Sequence, residues 1–316
     1  MQNKFKIMQK RKNFLILLIS LIIFIGAATI SIIESVGVPV WKNIFNVCAV
    51  KEFSSCADDY PMSVHVLDVG KADCIFITCE GKNILIDAGE TSIYKFVNEY
   101  LRKMNIKAID QLILTHQHSD HVGAMSYIVD EFNIKSFMMP QLKDDMIPTF
   151  RSYERLLISL DNKGMKAERP EPGKSYDIGP MKIDIFAPLS QYDDMNNNSI
   201  VMKVTYKNKS FLFTGDAGKE SERDIISAGF DVKADVLKVG HHGTKTATSQ
   251  AFLNKIHPLY AVISVGEDRN KLPKKETLER LKKNNIKIYR TDLDGTVIFA
   301  TDGENLKVFC EKEKNN

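Results

Sequence analysis

His116, His118, Asp120 and His121 fall within six consecutive residues, and a second pair, His241 and His242, stands side by side later in the chain. An isolated histidine is ordinarily a surface or hydrogen-bonded core residue. Three imidazoles and a carboxylate in one short stretch are another matter, because so many like donors are hard to satisfy except around a cation. The chemistry such a group points to is metal-assisted hydrolysis, with water as the nucleophile.

The elements that must position these groups can be read on either side of them. Residues 112–114 form a short apolar run before His116, and apolar residues return at Val122, Met125, Ile128, Val129 and Phe132. This is the pattern of a buried strand, a loop and an amphipathic helix, with the polar cluster at the strand's carboxyl end, where open α/β sheets place ligands. The arrangement recurs twice. Apolar residues 210–214 end in Gly215-Asp216 before a helix starting at Lys219, and residues 235–239 end in Gly240-His241-His242-Gly243-Thr244. By itself Asp216 reads as a helix cap or a ligand. Asp87, closing the strand over 83–86, reads as an orienting carboxylate or a turn-former before Gly89. Asn197, Asn198 and Ser199 read as a polar turn before a strand or as hydrogen-bonding groups for a substrate oxygen. Further strands are expected over 64–69, 74–78, 135–139, 182–186, 260–265, 287–289 and 295–300. Further helices are expected over 92–104, 146–163 and 273–283.

The sequence His116-x-His118-x-Asp120-His121 after an apolar strand resembles the signature of the metallo-β-lactamase superfamily. Leu67-Asp68-Val69-Gly70-Lys71-Ala72-Asp73, Leu85-Ile86-Asp87-Ala88-Gly89, Thr214-Gly215-Asp216, Lys238-Val239-Gly240-His241-His242-Gly243 and residues 261–266 and 289–296 are similar to its competence DNA-uptake (ComEC-type) branch. The resemblance covers about residues 62–310. It implies an α/β fold, an αββα sandwich, with two divalent metal ions. One would be held by His116, His118 and Asp216, the other by Asp120, His121, Asp216 and His242, with Asp216 bridging. His241 is then left to protonate a leaving group, and Asp120 is the acidic residue expected to be indispensable for turnover. Zinc suits so many imidazoles, and the bridging carboxylate leaves manganese open. There are departures: no histidine lies between His121 and His241, Thr244 replaces a serine, Lys71-Ala72 replaces Gln-Gly, and Leu272 precedes Pro273 where the branch has histidine. Asn197-Asn198-Ser199 aligns with an Asn-Asn-x-Ser sequence of the branch.

The overall charge of +3 is set by the first residues. Lys4, Lys6, Lys10, Arg11 and Lys12 have no acid among them, and without these five the chain has 38 bases against 40 acids. A broadly basic, nucleic-acid-coating surface is therefore excluded, although Lys71, Lys245, Lys271, Lys274 and Lys275 could line a local groove. Residues 14–33 carry no charge and, as a helix, would cover about 30 Å, the thickness of a bilayer's hydrocarbon core. The expectation is a basic cytoplasmic tail at 1–13, a single transmembrane helix at 14–36, an extracellular tether at 37–61 bearing Trp41 at the interface, and a hydrolase domain at 62–311 outside the cell. Cleavage near Gly26-Ala27-Ala28 would make the protein secreted instead. Cys48 and Cys56 could pair within the tether, whereas Cys74, Cys79 and Cys310 read as strand thiols.

These expectations converge on a membrane-anchored, exported phosphodiesterase or nuclease acting on DNA or a cell-envelope phosphodiester. Water held between the two cations would lose its proton near neutral pH. The rival is a binding or DNA-uptake accessory module, a partner of the competence machinery, with the same fold and little turnover.

Overall fold

The computed structural model describes residues 2–35, 53, 56–267 and 271–312. The chain divides into two units, Met1–Ser55 and Cys56–Asn316. In the first, a helix spans Gln2–Ser35, and Leu15, Leu17, Ile22, Ile23 and Phe24 are exposed on it. Among the described residues no helix is long and apolar enough to cross a membrane. The single transmembrane helix expected at 14–36 therefore finds no support among the described residues. Trp41, Cys48 and most of the expected tether lie outside the described residues.

The second unit is built on two mixed sheets. The first has eight strands in the order Leu306–Cys310, Val297–Thr301, Met62–Val66, Ile75–Cys79, Lys82–Ile86, Gln111–Ile113, Phe137–Met138 and Ala167–Glu168. The second has seven: Lys287–Arg290, Tyr260–Ile263, Val236–Lys238, Lys209–Phe213, Val201–Tyr206, Met181–Ala187 and Ser175–Ile178. Each sheet is antiparallel on one side and parallel on the other, the change falling at Lys82–Ile86 in the first and Lys209–Phe213 in the second. The parallel strands bring the ends of five strands, and the loops that follow Ile86, Ile113, Phe213, Lys238 and Ile263, to the sheets' carboxyl edges.

Alternation along the strands decides which face is which. Val64, Val66, Ile75, Ile77, Ile84 and Ile86 from the first sheet share one core with Ile183, Ile185, Met202, Val204, Phe211 and Phe213 from the second. The opposite face of the second sheet, through Leu212, Leu237, Ala261 and Ile263, packs on Ile225, Phe252, Leu253, Ile256 and Leu281 of its helices. On the outer face of the first sheet, His65 meets Tyr100 of the helix Tyr94–Lys103, their Nδ1 and Oη lying 2.7 Å apart, and its Nε2 is 2.7 Å from Ser63 Oγ. Helices therefore flank two facing sheets, the expected αββα sandwich.

The expected helices form with altered ends. Gly123-Ala124 breaks the motif helix into Ser119–Val122 and Met125–Glu131. A Cβ at Gly123 would lie 2.4 Å from the Thr91 amide, so the close approach of the two segments requires glycine. The helix expected over 146–163 starts later, at Arg151–Asn162, because Pro148 follows a short 3-10 turn at Asp144–Met146 and disfavours helical backbone before it. Cys74 and Cys79 are buried strand-side thiols, and burial pushes Cys79 up to about 12.

His65 and His257, the two histidines outside the clusters, have structural parts. His257 closes the helix Gln250–Ile256 in a left-handed conformation. Burial lowers the pKa of His65 from 6.5 to about 3, so between those values the unfolded chain binds a proton that the fold excludes. Stability is accordingly expected to fall as pH drops from 6.5 toward 3. Urea unfolding of His65→Gln across that window should show a shallower pH slope than the parent chain; an equal slope would contradict the assignment.

Candidate metal centre

The five strand-end loops meet around Asp216. Four imidazole nitrogens approach its Oδ2: His121 Nε2 at 3.5 Å, His241 Nε2 at 3.6 Å, His242 Nε2 at 3.7 Å and His116 Nε2 at 3.9 Å. His242 Nε2 also lies 3.5 Å from Asp120 Oδ2. His118 joins from the side, its Nδ1 2.9 Å from His116 Nε2. The sequence-predicted ligands His116, Asp120, His121, Asp216 and His242 thus come together from positions up to 126 residues apart, counted from His116 to His242. His118, by contrast, contacts His116 and falls in none of the described clusters with cation spacing.

Two groups have the spacing of a cation site: His116, His121 and Asp216, and Asp120, His121 and His242, with each group's ligand atoms within 4.8 Å of one another. A third, Asp73, Asp87 and His121, lies behind them. The fit to a cation rests on atoms that the protein leaves unsatisfied. His121 Nε2, His242 Nε2 and Asp216 Oδ1 are buried without a hydrogen-bond partner, a costly state unless something else is bound there. The residues present therefore suit divalent cations.

Electrostatics agree. Burial disfavours the anionic form of Asp216, but His242 and His121 outweigh it and hold the carboxyl well below the usual range. At Asp120, burial is likewise overcome by the nearby His242 ring, the charge of His121 and the Lys71 ammonium. Burial also opposes charge on His121, yet Asp216 and Asp87 raise its pKa well above the usual value. His116 is pushed down by burial and by His121.

The loops are held from behind. Asp87, left-handed at φ 56°, accepts from the Thr115 amide at 2.7 Å and from Thr115 Oγ1 at 2.7 Å, and its Oδ2 lies 2.8 Å from His121 Nδ1. This is the orienting alternative for Asp87, and it fixes which nitrogen of His121 faces the centre. Asp87→Asn is expected to weaken metal binding by about 10–100-fold, read by competition with a chromophoric chelator, while Thr115 keeps the fold intact. His242 Nδ1 donates to the Ser264 carbonyl at 2.9 Å, turning its Nε2 inward. His241 and His242 both adopt left-handed backbone, φ 48° and 52°. Two such residues in succession store strain of about 1–3 kcal/mol each, of the kind found at functional sites.

Asn197, Asn198 and Ser199 are committed elsewhere than to a substrate. Asn197 Oδ1 accepts from the amides of Gly218 at 3.0 Å and Ser221 at 3.3 Å, capping the helix Lys219–Ser227. Asn198 uses both ends of its amide on Tyr192 and Asp194. Ser199 Oγ accepts from the Asp216 amide at 3.1 Å. The three side chains face inward and shape the Asp216 loop, the role expected of a polar turn before the strand Val201–Tyr206. A Cβ at Gly215 would press on Thr115 and Ser199, both within 3.0 Å, which shows how tightly this loop is seated.

Sequence reasoning missed two groups. Lys71, counted only as a groove cation, places Nζ 2.8 Å from Asp120 Oδ2. Asp73 and Lys238 form an ion pair at 2.8 Å, both essentially inaccessible, with Asp73 Oδ1 3.8 Å from His242 Nδ1. The signal was present in Val236-Leu237-Lys238-Val239: a single lysine inside an otherwise apolar strand must find a buried counter-charge.

A family model described as Metallo-beta-lactamase superfamily matches residues 67–267, which contain every group of the centre. The chain belongs to that superfamily. Among its relatives, ComE operon protein 3 of Bacillus subtilis is 29% identical over 259 residues, covering 74% of this chain and 32% of the relative. Recombination protein 2 of Haemophilus influenzae is 30% identical over 243 residues, covering 74% and 28%. This metallo-beta-lactamase chain therefore resembles ComEC-type competence proteins and spans about a third of the length of those two relatives. Endoribonuclease YSH1 of Candida glabrata is more distant, at 23% over 217 residues, or 62% of this chain and 27% of that one. Among solved structures, the metallo hydrolase Igni18 of Ignicoccus hospitalis superposes with a TM-score of 0.50 at 16% identity, covering 76% of this chain and 99% of that one. That likeness speaks for the metallo-beta-lactamase fold alone.

Proposed function

We propose that this protein is a metal-dependent phosphodiesterase, with nucleic acid as its substrate class. The observation that carries the reading is the convergence of His116, His121, His241 and His242 on one oxygen of Asp216, with neighbouring ligand atoms left unsatisfied. His116, His118 and Asp216 would hold one divalent cation, and Asp120, His121, Asp216 and His242 the other. Zinc is the first choice for so many imidazoles, with manganese the alternative. Bound there, the pair would supply Lewis-acid activation of water and offset charge on phosphoryl oxygens.

The chain's own residues do the rest. Asp216 keeps both halves of the centre in register, and Asp120, steadied by Lys71, turns toward His242. His241 has a side chain 25% exposed, whereas His242 is fully buried. The exposed ring is the one able to reach a leaving alkoxide and return its proton. Relatives named for competence and for endoribonuclease activity support a phosphodiester over a lactam. Turnover of a chromogenic phosphodiester and of single-stranded DNA by the full chain, with zinc or manganese, tests the reading. Activity that disappears with chelation and in Asp120→Ala sustains it; metal-independent activity, or tight DNA binding without turnover, would replace it with the accessory-module reading.

The same proposal places the hydrolase unit outside the cell on an anchor at 14–36. It is supported by the uncharged run 14–33 and the five bases that precede it. Deletion of residues 2–36 should move the protein from the membrane to the soluble fraction.

A further inference from the structure

We infer that the protein carries a second phosphate-binding site, separate from the metal centre and on the other side of the motif helix. Asp120 and His121 turn toward the cations' place, whereas Ser119 and Gly123 of the same segment line a cavity of about 680 Å³ with Ser126, Tyr127, Arg151 and Arg155. The chemistry of this lining is one-sided. It offers two guanidinium groups and several hydroxyls, and among the described lining residues there is no carboxylate.

Three further features point to an anion. The helix Arg151–Asn162, twelve residues long, starts at the cavity, and Phe150 at its N-cap provides no side-chain hydrogen bond. Tyr153 and Glu154 donate their amides to the Phe150 carbonyl, so the amides of Arg151 and Ser152, at the positive end of the dipole, are left for a ligand. Arg155 is held in place rather than free: Nη1 donates to Tyr127 Oη at 2.6 Å, and the guanidinium lies 4.4 Å from the centre of that ring. Tyr127 in turn stacks on Tyr94 at 4.2 Å, which fixes the fork that a phosphate would meet. Finally, Ser126 is 1% exposed and its Oγ has no partner. A buried hydroxyl without a hydrogen bond is costly, and a phosphate oxygen would supply the missing acceptor.

The phosphate could belong to a terminal monoester or to an internal diester of a strand. The site stands on its own geometry and does not depend on turnover at the metal centre. The test is calorimetric titration of the full chain, kept in chelator so that the metal centre takes no anion. Inorganic phosphate is the first probe, followed by oligothymidylates with and without a 5′-phosphate. Ser126→Ala and Arg151→Gln should each weaken phosphate binding by about tenfold, the scale of one charge-assisted hydrogen bond. Ser126→Ala should unfold at a temperature no lower than the parent, since it removes an unsatisfied group. Metal content and turnover of a small phosphodiester should be unchanged in both variants. Preference for the 5′-phosphorylated oligonucleotide assigns the site to a terminal phosphate, and equal binding, equally lost in the variants, assigns it to internal diesters. Absence of phosphate binding by the parent chain, or equal affinity in parent and variants, would overturn the inference.

Discussion

Asp216→Asn is expected to lower phosphodiester turnover by about 10³-fold or more, the scale of roughly 4 kcal/mol of lost transition-state stabilisation. The substitution is nearly isosteric and keeps the backbone amide's hydrogen bond to Ser199 Oγ, but it removes the negative charge toward which four imidazoles point. One consequence separates it from a general disruption: bound metal should fall toward zero in elemental analysis of chain that stays folded, because both proposed sites share this carboxylate. The thermal midpoint without metal should fall, because the fold holds the Asp216 anion below its usual pKa range and the substitution takes that carboxylate away from His121. Retained metal with retained turnover would show that Asp216 is a ligand of neither cation.

The second large effect falls on stability. Asp73→Ala leaves the Lys238 ammonium buried, with the Val239 carbonyl at 3.1 Å as its described hydrogen-bond partner. Removing one member of a buried pair costs about 3–5 kcal/mol, to be read from urea unfolding of the full chain. Lys238→Met added to Asp73→Ala should recover most of that loss, since a well-packed apolar pair is often no worse than the ion pair it replaces. The double variant should still bind metal more weakly than the parent, because Asp73 lies beside the ring of His242. A single variant as stable as the parent would mean that Lys238 finds solvent.

Much of this organisation was legible in the residues. The apolar runs ending in His116, Asp216 and His241-His242 marked three strand ends, and parallel pairing in each sheet places those ends along common edges. The His-rich spacing marked the cation chemistry before any contact was known. What single residues could not disclose was the use of each side chain. Asn197 and Asn198 look alike in sequence to substrate-binding amides, yet their hydrogen bonds are consumed by Gly218, Ser221, Tyr192 and Asp194. Their partners are fixed by how the 192–199 loop folds onto the helix after Asp216, a tertiary fact with no local signature. Asp87 remained open between turn and support for the same reason, until Thr115 and His121 came within 2.8 Å of it. The pairing of Asp73 with Lys238 joins the two sheets across 165 positions of sequence, beyond the reach of any periodicity.

Anomalous diffraction from crystals of the zinc- or manganese-loaded full chain tests the central claim most directly. Two peaks are predicted, one beside His116 and His118 and the other beside Asp120, His121 and His242, with Asp216 touching both. Density at some other cluster, or an empty centre in a chain that still cleaves phosphodiesters, would contradict it.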